Sequence, residues 1–272
     1  MVERLRSASE LANIYVETVD LSGNPGNPPT EGKLPRMVVR YPAFMEIEEP
    51  LWSAPLTEGN VEKLLRSPLR DEIARHIIEG ATAVWVLVES GEDERDKEVE
   101  RLLREELRKM ERALEPDLEE YESYLESLGM PMDLKARFPL VRLSRGDPEE
   151  ALLLRMLFPP GLLEGERGPI AFPVFGRGRV LCALVGDELN ELNIEDVCAF
   201  LIGGCTCQVK GMCPGWDLLI SADWEAAVEG MFAEEAGFAG SLRRNLIIVL
   251  SAQLAAIAIG TWALLWRRRK AS

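Results

Sequence analysis

The sequence predicts an α/β protein that ends in one transmembrane helix. Residues Ala83–Val88 form an uninterrupted apolar run, which is typical of a strand buried on both faces. The charged stretch that follows keeps its apolar residues at helical spacing. Near the C-terminus, Leu246–Trp266 contains 21 residues without Asp, Glu, Lys, Arg or Pro. At about 1.5 Å per residue, a helix of this length matches the roughly 30 Å hydrocarbon core of a bilayer.

The charge balance restricts the classes of partner. The formal net charge is −15, and basic runs occur only beside the apolar C-terminal segment. A phosphate backbone is bound by clustered Lys and Arg, so we expect no nucleic-acid partner. The N-terminal residues carry charges at Glu3, Arg4, Arg6 and Glu10, and they lack the apolar run of a secretory signal.

The first half of the protein, residues 1–67, is predicted to contain two helices and three strands. Apolar residues at helical spacing indicate a helix over residues 3–12. The alternating segment Ile14–Val19 predicts a strand, and Leu34–Tyr41 predicts a second strand that is entered through a proline. Glu49–Ala54 is expected to return antiparallel to it. Thr57 then caps a helix that buries Val61, Leu64 and Leu65.

A helical linker over residues 68–80 leads into the second half, residues 81–204. Its central strand is Ala83–Val88. The long helix that begins after Ser90 and Gly91 is predicted to break at Pro116. Acidic and basic residues are interspersed along this helix, which indicates a solvated, salt-bridged face and not a metal site.

The remainder of the second half alternates strands with helices. Phe138–Leu143 predicts a strand, and Asp147 is expected to cap a short helix that runs through Phe158. Ile170–Phe175 and Val180–Val185 predict a hairpin, after which Asn190 or Asn193 begins a helix. Beyond it, residues 205–241 are predicted to be irregular through Leu219 and then to form a short amphipathic helix over Ala222–Ala233, and residues 242–272 contain the transmembrane helix and a basic tail.

The two halves repeat one order of elements, and this order resembles the thioredoxin fold. In each half a strand precedes a proline-entered strand, an antiparallel return strand and a closing helix. The resemblance implies two thioredoxin-like three-layer domains, of which the first lacks its opening strand. The family's C-x-x-C motif would fall at Ser90–Arg95, where this sequence has carboxylates and no thiol. We therefore expect no catalytic residue and no cofactor at that position.

Three cysteines form the sharpest candidate site in the sequence. Cys205, Cys207 and Cys213 have the spacing C-x-C-x5-C, which could bind zinc or copper or form an exchangeable or structural disulfide. A closed zinc site needs a fourth ligand, and the one histidine, His76, is interpreted as an ordinary helix residue. Cys182 and Cys198 fall on apolar faces and are interpreted as small buried hydrophobic residues.

The flanks of the apolar C-terminal segment indicate its orientation. The predicted anchor includes Leu246 and Ile257, with Trp262 and Trp266 at one end, where aromatic rings favour the interface. Basic residues follow it at Arg267, Arg268 and Arg269, so the positive-inside tendency predicts a cytoplasmic C-terminus and extracytoplasmic domains. That orientation requires export, and we expect Met1 to be an internal start with a signal and a strand upstream. The alternative is a tail anchor with cytoplasmic domains.

These observations predict a single-pass membrane-anchored, non-catalytic binding or assembly module with the membrane and an unidentified protein as partners. One histidine excludes a convincing Ser-His-Asp or Cys-His arrangement, and no phosphate-cradling loop is present. The alternative function is a thiol–disulfide or metal-handling protein that uses Cys205, Cys207 and Cys213.

Overall fold

The computed structural model describes residues 1–21, 34–127, 135–202 and 215–226. The chain divides into two compact units, Met1–Trp224 and Glu225–Ser272, and nearly all described residues belong to the first. The described helices are α1 (Val2–Leu11), α2 (Glu58–Leu65), α3 (Pro68–Ile78), α4 (Asp93–Ser127), α5 (Ala151–Leu157) and α6 (Glu191–Ile202). The described strands are β1 (Arg36–Arg40), β2 (Pro50–Pro55), β3 (Val84–Glu89), β4 (Leu140–Ser144), β5 (Ile170–Phe175), β6 (Arg179–Val180), β7 (Leu184–Val185) and β8 (Trp216–Asp217). The prediction of an α/β protein is confirmed.

The larger sheet is mixed and has the strand order β4-β3-β5-β6-β8, with β7 also paired to β5. Strand β3 runs parallel to β4 and antiparallel to β5. Residues Val84–Val88 are fully buried, because helices cover both faces of this strand. The expectation that the apolar run forms a central strand is therefore confirmed.

Alternate residues of β3 contribute to two separate cores. Val84, Val86 and Val88 pack on one face of the sheet with residues of α3 and α5 and of the N-terminal elements. Trp85 and Leu87 pack on the other face with α4 and α6. Side chains of a strand alternate between the two faces of a sheet, so one apolar run supplies both cores.

The first half contributes a two-stranded sheet in which β1 pairs antiparallel with β2. The Leu34–Pro35 peptide bond that precedes β1 is cis. Thr57 Oγ1 accepts a hydrogen bond from Asn60 N at 3.3 Å and caps α2, whose Val61, Leu64 and Leu65 are buried. The proline-entered strand, the return strand and the capped helix are all confirmed. Leu5, Met37, Leu51 and Val61 belong to the same core as Val86 of β3.

The N-terminal and C-terminal ends of the first unit are joined by a short latch, formed by residues 11–13 with residues 218–222. Ala12 and Ser221 form an antiparallel bridge, and Ala222 N donates to Leu11 O at 3.0 Å. Asn13 adds two bonds, since its Nδ2 donates to Leu218 O at 2.6 Å and its Oδ1 accepts from Ile220 N at 3.4 Å. The latch therefore joins two segments that lie far apart in sequence.

Two predictions in the long elements are wrong. The segment Ile14–Val19 is extended but forms no strand, because no other segment among the described residues pairs with its backbone. Helix α4 does not break at Pro116 and continues to Ser127. A proline inside a helix removes one hydrogen bond, and good helix formers on both sides outweigh this cost here.

Two predictions in the short elements also need correction. Helix α5 begins at Ala151 and not at Asp147, because the Glu150 side chain accepts from Ser67 Oγ and Leu69 N of α3's N-terminus. Asp147 instead accepts from Glu149 N within a turn. Trp216–Asp217, expected to be irregular, forms β8 by pairing with β6.

The predicted membrane anchor, Leu246–Trp266, lies outside the described residues. Among the residues that the structure describes, none of the helices combines the length and the apolar character needed to span a bilayer.

Candidate functional site

The cysteines of the predicted site, Cys205, Cys207 and Cys213, lie outside the described residues, but the backbone is described again just after them. Gly215 has φ +103°, and a Cβ at this position would lie 1.9 Å from Val180 O of β6. Trp216 is buried and donates from Nε1 to Met156 O at 2.8 Å. Gly215 and the buried Trp216 therefore hold the backbone at residues 215–216 against the sheet.

The two described cysteines are free and protonated at neutral pH. Burial raises the pKa of Cys182 to about 11, with a smaller contribution from Glu188. Burial raises the pKa of Cys198 to about 12, with a smaller contribution from Glu111. Because the thiolate is the reactive form, both are poor nucleophiles and poor metal ligands. Within the described ranges, no three His, Cys, Asp or Glu side chains are grouped as a metal ion would require.

The turn directly after β3, where the C-x-x-C motif of thioredoxin-like proteins would fall, is held by hydrogen bonds to a carboxylate. Asp96 Oδ1 accepts from Ser90 N and Ser90 Oγ, each at 2.8 Å, and Asp96 Oδ2 accepts from Gly91 N at 2.9 Å. Burial alone would raise the pKa of Asp96, but these hydrogen bonds and Arg142 outweigh it and lower the pKa. The acceptor atoms are fully used by the turn, so Asp96 acts as a structural cap and not as a general base.

Two arginines at the same edge of the sheet also have local partners. Arg142 pairs with Glu89 and with Glu100. Arg145 donates to Glu89 O at 3.0 Å and to Gly168 O at 2.7 Å, and its guanidinium lies 4.9 Å from the Phe158 ring centroid. These contacts hold the loops at the ends of β3, β4 and β5 together, and they leave little donor capacity for a ligand.

A second polar cluster is buried between the two halves. Arg70, 1% exposed, donates to Ser67 Oγ and to three carbonyl oxygens, Lys63 O, Leu64 O and Leu219 O, at 2.8–3.2 Å. Ser67 Oγ in turn donates to Glu150 at 2.6 Å. Burial lowers the pKa of Arg70 to about 10, against the opposing effect of Glu150 and Asp71, so Arg70 stays charged at neutral pH. No periodic pattern of residues predicts this cluster.

A groove of about 1350 Å³ is lined mainly by the first half of the protein. One wall is the extended segment 14–21, and the other is β1 with the residues on either side of it. The floor is apolar and consists of Leu5, Met37, Leu51, Leu64, Met156 and Leu219. Among the described residues that line the groove there is no Cys, His, Ser or Lys.

Large hydrophobic side chains are exposed along the rim of this groove. Tyr15 is 88% exposed, Val19 65% and Leu34 59%, and all three line the groove. Phe44, beside the lining residues Ala43 and Met45, is 61% exposed. An apolar floor with exposed apolar residues around it is typical of a surface that binds another polypeptide or an apolar ligand.

No protein-family model matches the sequence, and comparisons with curated proteins and with solved structures find no match either. The functional argument therefore depends on the geometry of the described residues. Sequence reasoning did not identify the groove. The signal that could have found it is the alternating segment Ile14–Val19, which has no paired strand among the described residues of the first half.

Proposed function

We propose that this chain is a single-pass membrane-anchored binding or assembly module, formed by thioredoxin-like halves and without a catalytic site of its own. The observation that carries the proposal is the apolar groove of the first half, with Tyr15, Val19 and Leu34 exposed along it. Exposed hydrophobic side chains around a preformed groove are stabilised when a partner removes them from water, at about 25 cal/mol per Å² of apolar area buried.

The arrangement of the second half supports a thioredoxin-like domain over residues 81–204. Along the chain, strand β3, helix α4, strand β4, the antiparallel pair β5 and β6 and helix α6 follow one another in the order that the resemblance implies. Within the sheet, β4 is parallel to β3 and β5 is antiparallel to it. Helices α4 and α6 pack together on one face of the sheet, and α5 packs on the other. Pro169 enters β5 as the repeat predicts.

The turn after β3 supports a binding role over a redox role. A reactive thiol in this fold requires a helix N-terminus that stabilises negative charge. Here the buried carboxylate of Asp96 already occupies the hydrogen-bond donors of Ser90 and Gly91. A second negative charge beside it would be repelled.

The proposed anchor is Leu246–Trp266, with Arg267, Arg268 and Arg269 on its cytoplasmic side and the binding domains outside the cytoplasm. Protease treatment of intact cells or spheroplasts tests this orientation with the full chain. Digestion of residues 1–224 by external protease is expected. Protection of these residues, with digestion only after lysis, would favour the cytoplasmic tail-anchored alternative.

Photocrosslinking in native membranes tests the binding function. Benzoylphenylalanine replaces Tyr15 at the groove or, as the matched control, Leu192, which is 65% exposed on α6. An adduct of one defined mass is expected from position 15 and not from position 192. The absence of any adduct from position 15, at a yield of protein equal to the control, would refute the binding module.

A cysteine variant separates the proposal from the thiol or metal alternative. Replacement of Cys205, Cys207 and Cys213 by serine is expected to leave the position 15 adduct unchanged. We also expect no stoichiometric zinc or copper in the purified full chain. Loss of the adduct in the variant, together with about one bound metal ion per wild-type chain, would favour the alternative function.

A further inference from the structure

We propose that the groove accepts an extended β-strand from a partner polypeptide, apolar on its inner face and carrying carboxylates on its outer face. The inference depends on the proposed binding function and specifies the chemistry of the partner. The strand lies between the extended segment 14–21 and β1, so that it pairs with β1.

The free edge of β1 carries the first step of the argument. Pro35 O accepts from Leu56 N at 2.9 Å, and Met37 O accepts from Ser53 Oγ at 3.2 Å, so both residues direct their peptide groups toward β2. Successive residues of a strand alternate, and Arg36 and Val38 therefore direct their N–H and C=O groups toward the groove. Among described residues, only β2 pairs with β1. An unpaired edge of this kind is a template for strand addition.

The larger sheet shows what fills the corresponding place in the second half. There, β3 lies between β4 and the proline-entered strand β5. In the repeat, Ile14–Val19 corresponds to β4 and the proline-entered strand β1 corresponds to β5. The place that corresponds to the central strand β3 is the groove, which both of these segments line. The groove therefore has the walls of a sheet position that requires one more strand.

The apolar faces define the inner side of the added strand. Met37 is buried, and Val39 packs against the same core, as do Ile14 and Val16 on the opposite wall. An added strand that alternates in register with these residues directs its inner side chains onto the floor of Leu5 and Leu51. Residues 22–33, which connect the two walls, include three prolines, three glycines and no Val, Ile, Leu or aromatic residue, a composition unsuited to this strand.

The charges of β1 define the outer side. Arg36, Val38 and Arg40 are on the opposite face of β1 from Met37 and Val39. Arg36 donates to Ser53 Oγ and Arg40 to Glu48 O, and neither has a carboxylate partner among the residues that the structure describes. Opposite charges on directly facing strand residues attract. Arg36 and Arg40 lie two residues on either side of Val38. An added strand therefore complements this pair of arginines when it carries carboxylates two residues on either side of the residue that faces Val38.

A synthetic peptide of the pattern Val-Glu-Val-Thr-Val-Glu-Val, blocked at both ends and fluorescently labelled, tests the inference on the full-length chain in detergent. We expect saturable binding and slower amide hydrogen exchange at Arg36, Val38 and residues 14–19. The same peptide with lysine for glutamate is expected to bind about fivefold more weakly, as two lost cross-strand charge pairs predict. The double variant Arg36→Glu and Arg40→Glu should reverse this preference.

Two variants at one position isolate the backbone pairing. Val38→Pro removes the N–H that faces the groove and leaves the bonds to β2, and we expect at least tenfold weaker peptide binding. The matched control Val38→Thr retains the N–H and the shape of the side chain, and it should bind as the wild type does. If Val38→Pro does not fold, the charge reversal still decides the question.

The outcomes separate this inference from the proposed function. Absence of peptide binding, or binding that the charge reversal does not affect, would overturn the strand-addition proposal. The position 15 adduct would then still support a binding module that holds its partner in another way. Self-association of the chain that slows hydrogen exchange at the same amides would assign the groove to a second copy. Slow exchange at these amides without any peptide would assign it to the same polypeptide. Either result would overturn the assignment to a partner.

Discussion

Replacement of Arg70 by methionine should cost about 4 kcal/mol of unfolding free energy. Arg70 donates four hydrogen bonds within the protein, three of them to carbonyl oxygens. Methionine fills most of the volume but leaves these acceptors without their donor and removes the favourable interaction of the Arg70 charge with the buried Glu150 carboxylate. Breaking a buried charged network by removing one member costs about 3–5 kcal/mol, and four lost bonds at about 1 kcal/mol each give a similar figure.

The neighbouring Arg66 provides the matched control. Its side chain is 59% exposed and pairs with Asp71 at 3.0 Å. Arg66→Met removes the same positive charge from the same region of sequence, but an exposed ion pair contributes less than about 1 kcal/mol. Any large difference between the two variants therefore reports burial and hydrogen bonding and not net charge.

Chemical denaturation of the full chain, followed by both tryptophan fluorescence and circular dichroism, measures these values where the two probes coincide. The double variant Arg70→Met with Glu150→Gln should cost at least about 1 kcal/mol less than the sum of the two single variants. The two costs are not additive because Arg70 and Glu150 share the hydroxyl of Ser67 as a hydrogen-bond partner, and each buried charge offsets the cost of burying the other. A cost for Arg70→Met below about 1 kcal/mol, or equal to that of Arg66→Met, would refute this account of the network.

Two further predictions concern the ends of the sheet. Asp96→Asn should cost about 1–2 kcal/mol of unfolding free energy at neutral pH. Because the folded-state pKa of Asp96 is lowered from 3.8, the stabilisation by the ionised carboxylate is present above pH 3.8 and is lost as the pH falls further. The difference in stability between the variant and the wild type, measured in denaturation curves, should therefore shrink from about pH 5 toward about pH 2. A difference that grows with acidity would contradict the assigned hydrogen bonds. Gly215→Ala should cost more than about 3 kcal/mol of unfolding free energy, since the φ of Gly215 is +103° and Val180 O lies 1.9 Å from the added Cβ. The control is Gly59→Ala in α2, where the added Cβ meets no atom within 4 Å, and this variant should be neutral or stabilising. Equal denaturation midpoints for the two alanine variants would show that residue 215 adopts another conformation.

Sequence patterns predict the elements whose formation depends on local or repeated apolar residues. Ala83–Val88 is apolar at every position, and such a run is stable only when both faces are covered, as they are in β3. The proline-entered strand β1 and the Thr57-capped helix α2 follow from equally local signals. In each of these cases the structure agrees because tertiary contacts reinforce the local preference.

The structure differs from the sequence-based prediction where contacts with residues distant in sequence determine the bounds or the pairing of an element. The start of α5 depends on Glu150, whose carboxylate accepts from Ser67 Oγ and Leu69 N at the N-terminus of α3, about 80 residues earlier in the chain. Trp216 and Asp217 form a strand because β6 offers an edge to pair with, which no pattern in residues 205–219 indicates. Ile14–Val19 has the alternation of a strand but no paired neighbour among the described residues, so pattern alone predicts its extended backbone and not its hydrogen bonds.

The position of the groove was hidden from sequence reasoning for the same reason. Its floor combines Leu5, Leu51, Met156 and Leu219, which are brought together only by the tertiary fold. The hydrogen bonds by which Ser90 and Gly91 occupy the Asp96 carboxylate are also not predicted by the sequence, although the lack of a thiol at Ser90–Arg95 is. Spacing along the chain identifies candidate site residues, but only the tertiary fold shows which of them contact one another.

The latch between residues 11–13 and residues 218–222 has a mechanical consequence. Tension applied to the chain beyond Trp224 reaches the fold first at the buried Trp224 side chain and then at this antiparallel contact, starting at the bond from Ala222 N to Leu11 O. Antiparallel bonds pulled from one end are loaded one after another and separate at lower force than bonds loaded together in shear. The next bonds in line are those of Asn13, immediately before the wall of the groove at Ile14. A load on the C-terminal side of the protein that breaks the latch therefore releases the residues directly before the wall of the groove, which begins at Ile14.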